Sequence, residues 1–108
     1  MFKNEVAEFI YKRTYSRWLE EENRREDWPE TIERFIGFII SERPDIPEKT
    51  ISKIRKYMLK FAVMPSMRFL WAAGPAAKAD NTCIYNCSFA KINSVEAFAE
   101  CLYVLMCG

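Results

Sequence analysis

The 108-residue sequence contains no histidine. Histidine is the commonest general base and the commonest metal ligand near neutral pH, so serine-histidine and cysteine-histidine catalysis within this chain are ruled out. Net charge is nearly absent as well: 16 Lys and Arg against 15 Asp and Glu leave +1. That balance offers nothing to attract nucleic acid or an anionic membrane surface. No apolar run approaches the roughly 18 residues that a membrane-spanning helix needs, and Lys3, Glu5 and Glu8 stand among the first residues. A soluble, cytoplasmic protein that binds neither nucleic acid nor membrane is expected.

What is present points to one folded domain with a modest core, because 50% of the residues are apolar and 15% aromatic. Four cysteines without a signal segment imply a reducing compartment, where thiols are free, catalytic or metal-bound. In chain order, Val6, Phe9, Ile10, Thr14 and Leu19 have a loose helical spacing, and Tyr11, Tyr15 and Trp18 widen the apolar face. This predicts a helix from about Glu5 to Leu19. Its basic and aromatic residues Lys12, Arg13, Tyr15, Arg17 and Trp18 have two readings. The preferred one packs the aromatics and leaves the arginines in solvent, and the alternative binds phosphate or a nucleobase.

The charge run Glu20 to Glu26 reads as a solvated face or loop. It leads into Asp27-Trp28-Pro29-Glu30, where an aspartate cap, a proline in the first turn and a glutamate at the third helical position announce a second helix. That helix should bury Ile32, Phe35, Ile36, Ile39 and Ile40 and stop before Pro44. Asp45-Ile46-Pro47-Glu48 repeats the device ahead of Ile51, Ile54, Met58 and Phe61, so a third helix should reach about Ala62. Pro65 then breaks the helical pattern. Met64 to Pro75 reads as a turn-forming apolar stretch whose single charge, Arg68, requires a carboxylate of the fold or an anionic ligand.

Cys83 to Ile92 suits a strand with Cys83, Tyr85, Cys87 and Phe89 on one face, which would hold Cys83 and Cys87 about 13 Å apart and unable to bridge. Asn93-Ser94 caps a last helix, Val95 to Met106, that is apolar around most of its circumference and belongs against something larger. The cysteine spacings do not match paired zinc knuckles, so no metal site is expected, and Cys101 and Cys107 read as small buried hydrophobes. Taken alone, these features also suit a small helical adaptor with inert cysteines.

Six blocks in order carry a more specific signal: Arg13-Thr-Tyr-Ser-Arg-Trp18, Met64-Pro-Ser-Met-Arg68, Ala73-Gly-Pro75, Asp80-Asn81, Tyr85-Asn-Cys-Ser88 and Tyr103-Val-Leu-Met-Cys-Gly108. Together they closely resemble the amino-terminal part of adenosylcobalamin-dependent (class II) ribonucleotide reductases, especially the monomeric triphosphate-reductase branch. The resemblance implies a mainly α segment of about four helices plus one barrel strand, the complete enzyme being a ten-stranded α/β barrel. Residues 1–62 would form an N-terminal helical region and 63–108 the start of the catalytic barrel.

The resemblance also implies site residues. Cys87 would be the first cysteine of the redox pair that reduces the ribose. Asn86, Ser66 and the backbone at Met64 and Pro65 would contact the ribonucleotide. A thiol near its usual pKa of about 8.5 is protonated at neutral pH and can give up a proton as well as an electron. The disulfide formed would be reset by a dithiol reductant such as thioredoxin. Cys83 receives no role. Gly108 falls at the first glycine of what resembles the family's Gly-Thr-Gly loop. The radical cysteine, the second redox cysteine and most of the adenosylcobalamin site are therefore expected on the remaining C-terminal part of the reductase, through a split gene, an intein or an incomplete frame. The chain alone is expected to be inactive.

Overall fold

A computed structural model describes residues 2–85, 87 and 89–107. Helix α1 spans Glu5–Thr14 and is started by Asn4, whose Oδ1 accepts from the Ala7 N–H at 2.8 Å. It ends five residues short of the expected Leu19. The backbone N–H groups of Tyr15 and Ser16 both turn back to the Tyr11 carbonyl. The Ser16 hydroxyl donates to the Glu26 carbonyl at 2.6 Å. That tether draws the chain into a short antiparallel ribbon, β1 (Trp18–Leu19) and β2 (Arg24–Arg25), with Trp18 opposite Arg25. Asn23, at φ 51°, makes the left-handed turn between them.

Helix α2 covers Trp28–Glu42, and both halves of the capping box form: Asp27 Oδ1 accepts from the Glu30 N–H and Glu30 Oε2 accepts from the Asp27 N–H. Its buried face is Thr31, Ile32, Phe35, Ile36 and Phe38. Ile39 is half-buried and Ile40 exposed, because Phe38 rather than Ile40 turns inward, against Phe69 at 5.9 Å between ring centres. Helix α3, Glu48–Leu59, packs along α2 and buries Ile51 and Met58. The second expected cap does not form. Asp45 is engaged by Arg43 at 2.7 Å, and Pro47 occupies the cap position without a side-chain bond.

The stretch after Pro65 is more regular than expected. Helix α4 spans Met67–Ala72, helix α5 spans Pro75–Ala79, and a 3-10 turn covers Asn81–Ile84. The expected Cys83 to Ile92 strand is a correction: Cys83 and Ile84 lie in that turn, and none of the described residues from Tyr85 to Ile92 is in a strand. A strand is held by hydrogen bonds to a neighbour, and the one ladder among the described residues joins β1 to β2. The extended spacing of Cys83 and Cys87 lapses with it.

Helix α6, Glu96–Cys107, begins as expected: Ser94 Oγ accepts from the Ala97 N–H at 3.3 Å. The described residues thus contain six helices and a two-stranded sheet, where about four helices and one strand were expected. The core gathers Ile32, Ile36, Ile51, Met58 and Leu70, each burial worth about 1.5–3 kcal/mol. Phe98, Leu102, Leu105 and Met106 of α6 stay exposed, in keeping with its apolar circumference.

Candidate functional site

Within the candidate segment that starts at Met64, Leu70 and Ala73 are held from a distance, by an ion pair. Glu26 is 3% exposed, although its charge run reads as solvated. Its carboxylate accepts from Arg34 Nε at 2.8 Å, Arg34 Nη2 at 3.2 Å, Thr31 Oγ1 at 2.9 Å and the Arg17 N–H at 3.2 Å. Its carbonyl accepts from Lys12 Nζ at 2.8 Å and from the Ser16 hydroxyl. A buried carboxylate is tolerated only when its oxygens are paired in this way.

Arg34 Nη2 also donates to the Tyr15 carbonyl at 3.4 Å, and the remaining donors go to the candidate segment. Its Nη1 donates to the carbonyls of Ala73 at 2.6 Å and Leu70 at 3.1 Å, satisfying groups that the end of α4 leaves open. The chain then turns at Gly74, φ +119° and ψ −143°, a conformation essentially confined to glycine. Pro75 starts α5 directly, as its preset φ allows. Arg17 adds a second clamp: Nη2 donates to the Trp71 carbonyl at 2.6 Å, and the guanidinium lies 4.8 Å from the Trp71 ring centre. Burial lowers the Arg17 pKa, with Arg34 nearby adding to the effect. Arg17 is therefore half-buried and not left in solvent as expected, whereas Trp18 is exposed.

Ser66 caps α4, its Oγ accepting from the Phe69 N–H at 3.1 Å. Met64 is exposed and Pro65 half-buried. Arg68 lines a shallow cavity of about 310 Å³ with Tyr15 and Trp71. Helix α4 packs on the 81–84 turn. Asp80 opens that turn by accepting from the Thr82 N–H and hydroxyl, and the same bonds lower its pKa.

Cys83 is buried in the core, whereas Cys87 is exposed, and both are free thiols. Asn86 lies outside the described residues. Cys101 and Cys107 are half-buried, more open than the hydrophobes they were read as. The nearby Cys107 raises the Tyr103 pKa and helps to lower that of Asp80. Among the described residues no three Cys, Asp or Glu side chains converge as metal ligands.

The structure thus packs α4 on the 81–84 turn, and it adds Glu26, Arg34, Arg17 and Gly74, which sequence reasoning missed as supports. The Ala73-Gly-Pro75 block was the one visible sign of the Gly74 turn. Nothing in local spacing announced that Arg34 would reach a carbonyl 39 residues away.

The family model described as "Ribonucleotide reductase alpha domain" matches residues 1–75. Relatives called adenosylcobalamin-dependent ribonucleoside-triphosphate reductase extend the match. The one from Lactobacillus helveticus is 33% identical over 100 residues, covering 82% of this chain and 13% of the relative. That from Lactobacillus gasseri is 34% identical over 100 residues with the same shares. That from Lactobacillus acidophilus is 33% identical over 104 residues, covering 85% of this chain and 14% of the relative. No solved structure gives a significant match. The matched part is thus a small fraction of each relative's length, yet the residues that build α1 to α4 and the clamp on them lie within the family match, and the chain belongs to the ribonucleotide reductase family.

Proposed function

We propose that this chain supplies the amino-terminal part of an adenosylcobalamin-dependent ribonucleoside-triphosphate reductase, which converts ribonucleotides to 2′-deoxyribonucleotides. The supporting observation is similarity to enzymes of that name along 82% of the chain. The helical adaptor reading is not favoured, because it accounts for none of that similarity.

In this reading Cys87 is one of two reducing thiols. Replacing the ribose 2′-hydroxyl by hydrogen consumes two electrons and two protons and releases water. Two thiols supply both as they join in a disulfide, and an external dithiol such as thioredoxin then exchanges with that disulfide. The exposure of the Cys87 thiol suits both encounters. Met64, Pro65, Ser66 and Asn86 form the substrate side, Ser66 by fixing the start of α4. Residues 63–108 begin the catalytic barrel, on which residues 1–62 pack, and the setting is the cytoplasm.

Adenosylcobalamin would be held mainly by the remaining C-terminal part of the reductase. In a complex with that part, Cys87→Ser should abolish turnover with a dithiol reductant while leaving the complex intact. Full turnover by the serine variant would refute the redox assignment. Cobalamin-dependent reduction by the 108-residue chain alone would refute its role as a part.

A further inference from the structure

A second cavity, of about 720 Å³, opens between the start of α1 and the end of α3. Its floor is aromatic. Phe2 stacks on Tyr11 at 4.9 Å, and Trp28 stacks on Phe61 at 4.6 Å with their planes 15° apart. Phe61 holds a left-handed backbone, φ 56°, which a bulky residue adopts only when its surroundings compel it. Here the ring is secured between Trp28 and Phe2.

The polar lining has one sign. Lys3 and Lys60 both line the cavity, no Asp or Glu does, and Asn4 marks the start of the ten-residue helix α1, its positive end. Trp28, which lines the same cavity and is 93% buried by its 7% exposure, has its indole N–H buried without an acceptor among the described residues. Buried polar groups are nearly always paired; this donor is an orphan sealed from solvent, so other atoms of Trp28 form the lining.

We propose that the cavity is a binding site for a small planar aromatic anion, a ring bearing phosphate, sulfonate or carboxylate. The ring would lie against the aromatic lining of Phe2, Tyr11, Trp28 and Phe61, and the anionic group would sit between Lys3 and Lys60. The volume is in the range of small-molecule sites, which are apolar with a few placed polar groups. An uncharged apolar ligand would leave both lysines unused.

The test is titration of the 108-residue chain with adenosine monophosphate and with naphthalene-2-sulfonate, followed by the indole N–H resonance of Trp28. Both anions should move that resonance saturably. The doubly substituted Lys3→Glu, Lys60→Glu variant, with thermal unfolding unchanged, should bind about tenfold or more weakly. The idea is overturned if neither anion moves the resonance at millimolar concentration, if the double variant binds as tightly, or if adenosine and naphthalene bind as well as the anions.

Discussion

Arg34 donates a 2.6 Å hydrogen bond to the carbonyl of Ala73 while its Nε is paired with Glu26 at 2.8 Å. One guanidinium thereby ties the end of α4 to the turn before α2. The candidate segment is positioned by this bridge more than by its own residues, since α4 and α5 are six and five residues long and helices that short do not persist unaided.

Removing one partner of this bridge should cost more than a surface ion pair. Glu26→Gln leaves the Arg34 guanidinium, whose side chain is 16% exposed, without its counter-charge. A loss of about 3 kcal/mol is expected in denaturant unfolding, and a loss below about 1 kcal/mol would place the pair in the surface class.

At Gly74 the backbone, not crowding, should decide the outcome. A Cβ there would lie 3.8 Å from Arg34 Cδ, ordinary contact, but φ is +119°. Gly74→Ala should therefore destabilise by about 1–3 kcal/mol. Trimming the neighbour in an Arg34→Ala background should not restore that loss, whereas recovery would show that contact was the cause.

The capping box makes a pH prediction. The Arg24 hydrogen bond, seconded by the Asp27 backbone, holds the Glu30 pKa at about 2 against an ordinary 4.5. The unfolded chain binds this proton more readily, so the contribution is complete above about 4.5 and is lost as pH falls toward 2. Glu30→Gln should flatten the acid limb of stability against pH over that window. Burial raises the Tyr11 pKa above 10, so its contribution is present below pH 10 and is lost as pH rises through the folded value. Tyr11→Phe should flatten the alkaline limb.

Thiol alkylation separates the two neighbouring cysteines. Cys87 should react at the rate of an exposed thiol. Cys83, 8% exposed, should react about a hundredfold more slowly under native conditions, because modification waits for local opening. Comparable rates, read by mass spectrometry of the digested protein, would contradict the placement of Cys83 in the core.

Much of the helical framework was legible in the residues. Asp27, Pro29 and Glu30 announced α2, Ser94 announced α6, and the spacing of Ile32, Phe35 and Ile36 set the face that α2 buries, because caps and helical periodicity act within a few residues. The order of six short blocks pointed to the ribonucleotide reductase family. Contacts made at long range decided the rest. Trp18 and Leu19 left the expected helix because Ser16 and Arg17 bond to Glu26, and no pattern local to α1 encodes a partner ten residues on. The Cys83 to Ile92 alternation suited a strand, yet a strand exists only where a neighbour takes its hydrogen bonds, and alternation carries no information about the neighbour. The Glu26 to Arg34 bridge likewise buries a carboxylate that its charge run assigned to solvent. Sequence determined where helices start and which faces are apolar; tertiary structure decided which charges were buried and what they hold, since burying a charge depends on partners that only the folded chain assembles.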